Sequence, residues 1–127
     1  MSTRSDAAEE SGFDYRPLRD KWYREGWYSK RTCVDALEQG ASEHGDVAVV
    51  FVTEDSETTA SVGEIHHAAR AVAVGPQRLG VEPGDPVAVQ LTNRLECAVA
   101  YQAVLLCGAV LVPIVHIYGP NEVGFIL

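Results

Sequence analysis

Residues 79–127 read LGVEPGDPVAVQLTNRLECAVAYQAVLLCGAVLVPIVHIYGPNEVGFIL, and the succession of turn, strand, helix and strand within them decides the fold. In Glu82-Pro83-Gly84-Asp85 the proline presets one backbone dihedral and the glycine can take positive φ, so these four residues predict a turn. The turn feeds a strand expected over Val87 to Leu91. Asn93 followed by Glu96 has the spacing of a capping box and opens a helix expected to run to Cys107 and stop at Gly108. Val110 to Val115 is again β-branched and uncharged, as a buried strand requires. Strand, helix with an uncharged face, and strand within about 30 residues is the pattern of a βαβ crossover in a parallel sheet. Pro120-Asn121-Glu122 then starts another helix.

Upstream, Ser61 and Glu64 form a second capping box. Ile65, Ala69, Val72, Pro76 and Leu79 recur at three-to-four residue spacing, which predicts a helix over 62–79 ended by Gly80. Pro76 removes one hydrogen bond inside that helix and predicts a kink near Val74. Thr32 with Asp35 is a further box, and Val34, Leu37 and Ala41 share one face, predicting a helix over 33–44. Val47 to Thr53 is a nearly continuous apolar run, expected as a strand covered on both faces, with Glu54 to Glu57 as the turn after it. Six aromatic residues between Phe13 and Tyr28 interleave with Arg16, Arg19, Lys21 and Arg24. They read as an irregular arm laying its rings against the protein body rather than as a base-stacking groove. Met1 to Gly12 is polar and small and reads as a tail without a signal-peptide core. The expected division is therefore a disordered tail over 1–12, an aromatic-rich N-terminal arm over 13–31, and an α/β unit over 32–127.

With 127 residues, the chain has room for one compact core. Its 46% hydrophobic and 22% charged residues exclude a wholly disordered chain. A formal charge of -8 argues against nucleic acid and anionic membrane surfaces as partners. The acidic excess over 31–60 reads as solvated helix and turn faces. Cys97 to Tyr118 contains no Asp, Glu, Lys or Arg and is long enough to cross a bilayer as one helix, yet Gly108 and Pro113 divide it into helix and strand, so no membrane span is expected. Cys33, Cys97 and Cys107 are odd in number and lack CxxC spacing, which suits packing residues in a reducing, cytoplasmic compartment.

The chemistry is sparse. A phosphate-binding loop needs clustered glycines, whereas Gly80 and Gly84 belong to a turn that carries Glu82 and Asp85, whose carboxylates repel phosphate. Adjacent helical residues point about 100° apart, so His66 and His67 cannot grip one metal and read, with His44, as surface polar positions. Glu96 is accounted for by capping. His116 follows a buried strand, at the place where open parallel sheets put ligands. With Tyr118 it is the ligand-proximal candidate; no catalytic, cofactor-binding or metal-ligating residue is assigned.

The same stretch resembles the N-terminal region of acyl-CoA synthetases of the AMP-forming, adenylating superfamily. The resemblance rests on Leu79-Gly80-Val81 with Gly84-Asp85 before a Val-Ala-Val strand, Asn93 with Glu96, Ala100 and Ala103, Gly108-Ala109-Val110 with Pro113, and Glu122 ahead of Ile126-Leu127. Tyr23 to Trp27, Thr32 to Leu37 and Gly63-Glu64-Ile65 extend it over nearly all the chain after residue 13. Two places depart from the pattern: Val62 stands where an aromatic is typical, and Gly75-Pro76 interrupts a helix that normally continues through Leu.

The resemblance implies an incomplete α/β fold, the N-terminal part of the adenylating-enzyme large domain with parallel βαβ units and flanking helices. It also implies an ATP-dependent fatty-acid-CoA ligase as the complete enzyme, using ATP, Mg2+ and coenzyme A. The family's phosphate loop, adenine and magnesium motifs and catalytic lysine lie further downstream and have no counterpart in these residues. The expectation is thus a truncated N-terminal subdomain, inactive alone and needing no cofactor itself. Val123, Phe125, Ile126 and Leu127 lack a layer to bury them, which points to the remainder of the synthetase or to self-association as partner. The alternatives are a noncatalytic interaction module, half of a split synthetase, or a small stand-alone binder with His116 and Tyr118 near its pocket.

Overall fold

A computed structural model describes residues 14–127. The expected tail over 1–12 lies outside the described residues, as does Phe13. The chain divides into two compact units, Met1–Arg31 and Thr32–Leu127.

The described part of the first unit holds helix α1, Arg16–Arg24, with Pro17 in its opening turn. Proline is tolerated there because the first helical N–H groups have no intrahelical acceptor. Asp14 accepts from Arg16 Nε at 2.8 Å, and this contact holds the carboxyl below the usual carboxylate range. Trp27 N and Tyr28 N both donate to Trp22 O, at 3.0 and 3.2 Å, turning the chain back. The Tyr28 ring comes to rest 5.0 Å from Trp22 and 5.8 Å from Tyr23. The arm expected to be irregular is therefore a helix and a return, closed on its own aromatic cluster.

The second unit begins with α2, Cys33–His44, then β1, Ala48–Val52, and β2, Glu57–Ser61, followed by α3, Val62–Arg78. The βαβ expectation is met downstream by β3, Pro86–Val89, α4, Leu95–Leu106, and β4, Val110–Pro113, with α5, Pro120–Ile126, after them. β3 and β4 pair in parallel, Pro86 opposite Val110 and Val89 opposite Pro113. β1 and β2 form a separate antiparallel pair, Ala48 opposite Ser61 and Val52 opposite Glu57.

Local chemistry sets most boundaries. Thr32 Oγ1 accepts from Asp35 N while the Asp35 carboxylate accepts from Thr32 N at 2.7 Å, and Ser61 and Glu64 repeat the arrangement. Each box satisfies two otherwise unpaired donors at a helix start. At the far end of α4, Gly108 has φ +72°, a backbone conformation that disfavours a side chain, and its carbonyl accepts from Gly84 N at 2.8 Å. The β3 turn is thereby fastened to the end of the crossover helix.

Three expectations need correction. β2 was expected as the end of a turn plus a helix cap; its Thr58 and Thr59 instead extend opposite Phe51 and Val50. β1 is not covered on both faces, since Val50 and Val52 are exposed. Finally, Asn93 is not a cap: Arg94 holds that position without a side-chain bond, and Cys97 N and Ala98 N donate to its carbonyl. Glu96 still lies in the first turn, where its charge suits the helix dipole.

The core lies between α3, α4 and one face of the β3–β4 pair. Ala69, Ala73, Val89, Ala103, Val104, Cys107 and Ala109 form its buried centre, flanked by Val87, Val99 and Leu111. Small side chains on α3 and α4 let the two helices approach closely.

Candidate functional site

The region beyond the carboxyl ends of β3 and β4 is where an open α/β sheet presents ligand contacts. One side chain organises it. Gln90, directly after β3, donates its amide Nε2 to the carbonyls of Val115 at 3.2 Å and Tyr118 at 2.8 Å. Tyr118 N closes a turn on Val115 O at 3.0 Å, and Glu122 Oε2 accepts from Gly119 N at 3.1 Å at the start of α5. A polar amide thus fixes the loop carrying both candidates, His116 and Tyr118.

The two candidates differ. Tyr118 lines an open, mainly apolar groove of about 550 Å³ with Asn121, Glu122, Phe125 and Ile126. His116 is exposed and is not among the residues lining that groove. No general base stands beside an activated nucleophile in this groove, whose one ionised side chain is already committed to capping α5.

A second polar cluster joins three helices. His66 is buried, contrary to the surface position expected for it, whereas His67 is exposed. His66 Nδ1 lies 3.4 Å from Gln102 Oε1 on α4, and Nε2 lies 3.7 Å from Glu38 Oε2 on α2, beyond hydrogen-bond distance. The other Glu38 oxygen accepts from Arg70 at 2.8 Å. The arrangement clamps α2 to α3 and has the composition of a structural joint.

No group of three or more His, Cys, Asp or Glu side chains among the described residues is placed to hold a metal ion. Cys33, Cys97 and Cys107 are free thiols. Burial pushes the Cys107 thiol up from its ordinary value, and burial together with a bond to Cys97 does the same for the Tyr101 phenol. No helix of the described residues is long and apolar enough to cross a membrane.

The α/β fold is that of the N-terminal part of adenylate-forming enzymes. Residues 37–127 match the sequence pattern of the family described as AMP-binding enzyme, and the chain belongs to that family. Among solved structures it is similar to a fatty acyl-adenylate ligase from L. pneumophila in complex with acyl adenylate and pyrophosphate, at 26% identity and a TM-score of 0.61 over 66% of this chain and 15% of that one. An anthranilate CoA ligase in complex with anthranoyl-AMP shares 26% identity, with a TM-score of 0.65 over 76% of this chain and 18% of that one. The O-succinylbenzoate coenzyme A synthetase of Bacillus subtilis, in complex with AMP, shares 25% identity, with a TM-score of 0.63 over 72% of this chain and 23% of that one. The chain thus spans less than a quarter of the length of these relatives. No curated protein matches its sequence.

Proposed function

We propose that the chain is the N-terminal segment of an acid–thiol ligase of the fatty-acid-CoA ligase type. The complete enzyme would activate a carboxylic acid with ATP and Mg2+ to an acyl-adenylate, release pyrophosphate and pass the acyl group to coenzyme A. The observation that carries this reading is the family match over 37–127, supported by relatives whose bound ligands are acyl-adenylates, pyrophosphate and AMP. Its three free thiols suit a reducing, cytoplasmic setting.

The residues present do not fit ATP or Mg2+ by themselves. Glu82 and Asp85 stand on either side of Pro83-Gly84 in the turn before β3, and the described residues offer no three-ligand acidic or imidazole cluster. The segment's contribution is then a scaffold: β3, α4 and β4 carry the loop over 114–119 to the strand ends, and Gln90 holds it there.

Pyrophosphate exchange into ATP, measured with the 127-residue chain and a panel of fatty and aromatic acids, tests the reading. No exchange is expected from this chain, and turnover would overturn its assignment as scaffold. Replacing the matching segment of the Bacillus subtilis synthetase with residues 37–127 tests the ligase assignment. A soluble chimaera that binds AMP supports it, and a well-folded chimaera that fails to bind AMP counts against it.

A further inference from the structure

The joint of α2, α3 and α4 holds a histidine that lacks one donor. His66 is 8% exposed, and its Nε2 is a fully buried atom without a hydrogen-bond partner among the described residues. Each ring nitrogen faces an oxygen from a different helix: Gln102 Oε1 of α4 lies 3.4 Å from Nδ1, and Glu38 Oε2 of α2 lies 3.7 Å from Nε2. A neutral imidazole has one N–H, so either tautomer turns a bare lone pair towards one of the two oxygens. The imidazolium alone has a donor for both. A buried polar atom left unpaired destabilises the fold, and here the missing partner stands just outside bonding range.

We propose that His66 is a proton-operated latch for α2. With a proton taken from solvent, Nε2–H donates to Glu38 while Nδ1–H donates to Gln102, and loss of that proton releases Glu38. Two effects oppose the charged ring: its burial, and the Arg70 guanidinium, which lies 2.8 Å from Glu38 Oε1. Arg70 is 60% exposed, so water screens its charge, whereas Glu38 Oε2 faces the ring and the half-exposed Glu38 side chain has room to close the gap. Other charges stand apart. On α4 the contact is the neutral Gln102, and Glu96 lies about 9 Å further back along that helix. Glu57, on β2, sits opposite Val52 at the far end of the hairpin, Asp35 and Glu64 are held in the capping boxes, and His67 is exposed. Histidine is the side chain that titrates between about pH 5 and 8. Since the folded state favours the protonated ring, the latch protects α2 on the acid side of that range and releases it as the pH rises.

Amide hydrogen exchange of the 127-residue chain at about pH 8 and about pH 5.5, corrected for intrinsic exchange rates, tests the latch. Protection of α2 is expected to rise at least about fivefold on acidification, relative to the β3–β4 pair. Glu38→Gln, a change at a half-exposed position, still accepts from Arg70 but removes the charge, and should reduce the rise to less than about twofold. What remains is due to His44, whose proton strengthens the last turn of α2 through the helix dipole in both proteins. Nitrogen NMR of the His66 ring should show both N–H groups at the acid pH and one at the alkaline pH. A parent whose α2 protection does not rise, an equal rise in parent and variant, or a His66 ring that stays neutral at the acid pH would each overturn the proposal. None of these outcomes bears on the ligase assignment, which the pyrophosphate-exchange and chimaera experiments address separately.

Discussion

Cys107 and Ala73 are joined across 34 residues of sequence: the buried thiol donates to the Ala73 carbonyl at 3.2 Å and ties the end of α4 to α3. A carbonyl in the body of a helix already accepts from the turn above it, so the thiol uses its second lone pair. The contact sits inside a core built chiefly from alanine, where each larger side chain counts for more.

Truncation of Cys107 to alanine is expected to cost about 1 kcal/mol, measured as a lowered urea midpoint with unchanged slope. The pH dependence follows from the raised thiol pKa. Folding favours the protonated form, so the contribution is fully present below the thiol's ordinary value of 9.0 and is lost as pH rises through the higher folded value. The stability gap between parent and variant should therefore be constant through neutral pH and shrink above 9.0. A disulfide reagent at pH 8 should label exposed Cys33 first and Cys107 only on unfolding.

Gln90→Ala removes two hydrogen bonds to the loop over 114–119. About 1 kcal/mol of stability should go with them. The more specific outcome is local: amide exchange should quicken at 116–119 while the protection of α3 and α4 is kept. Gln90→Glu should be worse than alanine at neutral pH, because a carboxylate would face the Val115 and Tyr118 carbonyl oxygens.

Two glycine substitutions should have opposite signs. Gly108 has φ +72°, and a Cβ there would lie 3.2 Å from the Pro83 Cβ, so Gly108→Ala is expected to destabilise by about 2 kcal/mol. Gly40 lies within α2 with open space where its Cβ would go, and Gly40→Ala should stabilise by roughly 0.5–1 kcal/mol. Thermal melts of the two variants check both.

What could be read in the sequence was what is local. The Thr32–Asp35 and Ser61–Glu64 boxes place α2 and α3 because capping needs residues only three apart, and Gly108 ends the crossover helix for reasons internal to one turn. β2 escaped because Glu57, Thr58, Thr59 and Ser61 are polar and only Ala60 is buried, so no apolar alternation marks it. Its β-branched threonines were the available signal. His66 was misjudged by pairing it with His67; set beside Ala69 and Ala73, three and seven residues on, it falls on the buried face of α3. Gln90 could not have been found this way, since its partners lie 25 and 28 residues away and are backbone carbonyls, which any side chain could have shared.

The strand pairings also set an order of events on the ribosome. β1 closes on β2 across a four-residue turn, and β4 closes on β3 through a single helix, so each ladder joins segments that leave the exit tunnel in immediate succession. Among the described residues neither pair has to wait for a distant mate, and the loop-closure entropy of these two pairings stays small. A nascent chain can therefore complete its hairpin while α3 is still emerging, and offer that helix a finished surface as it appears.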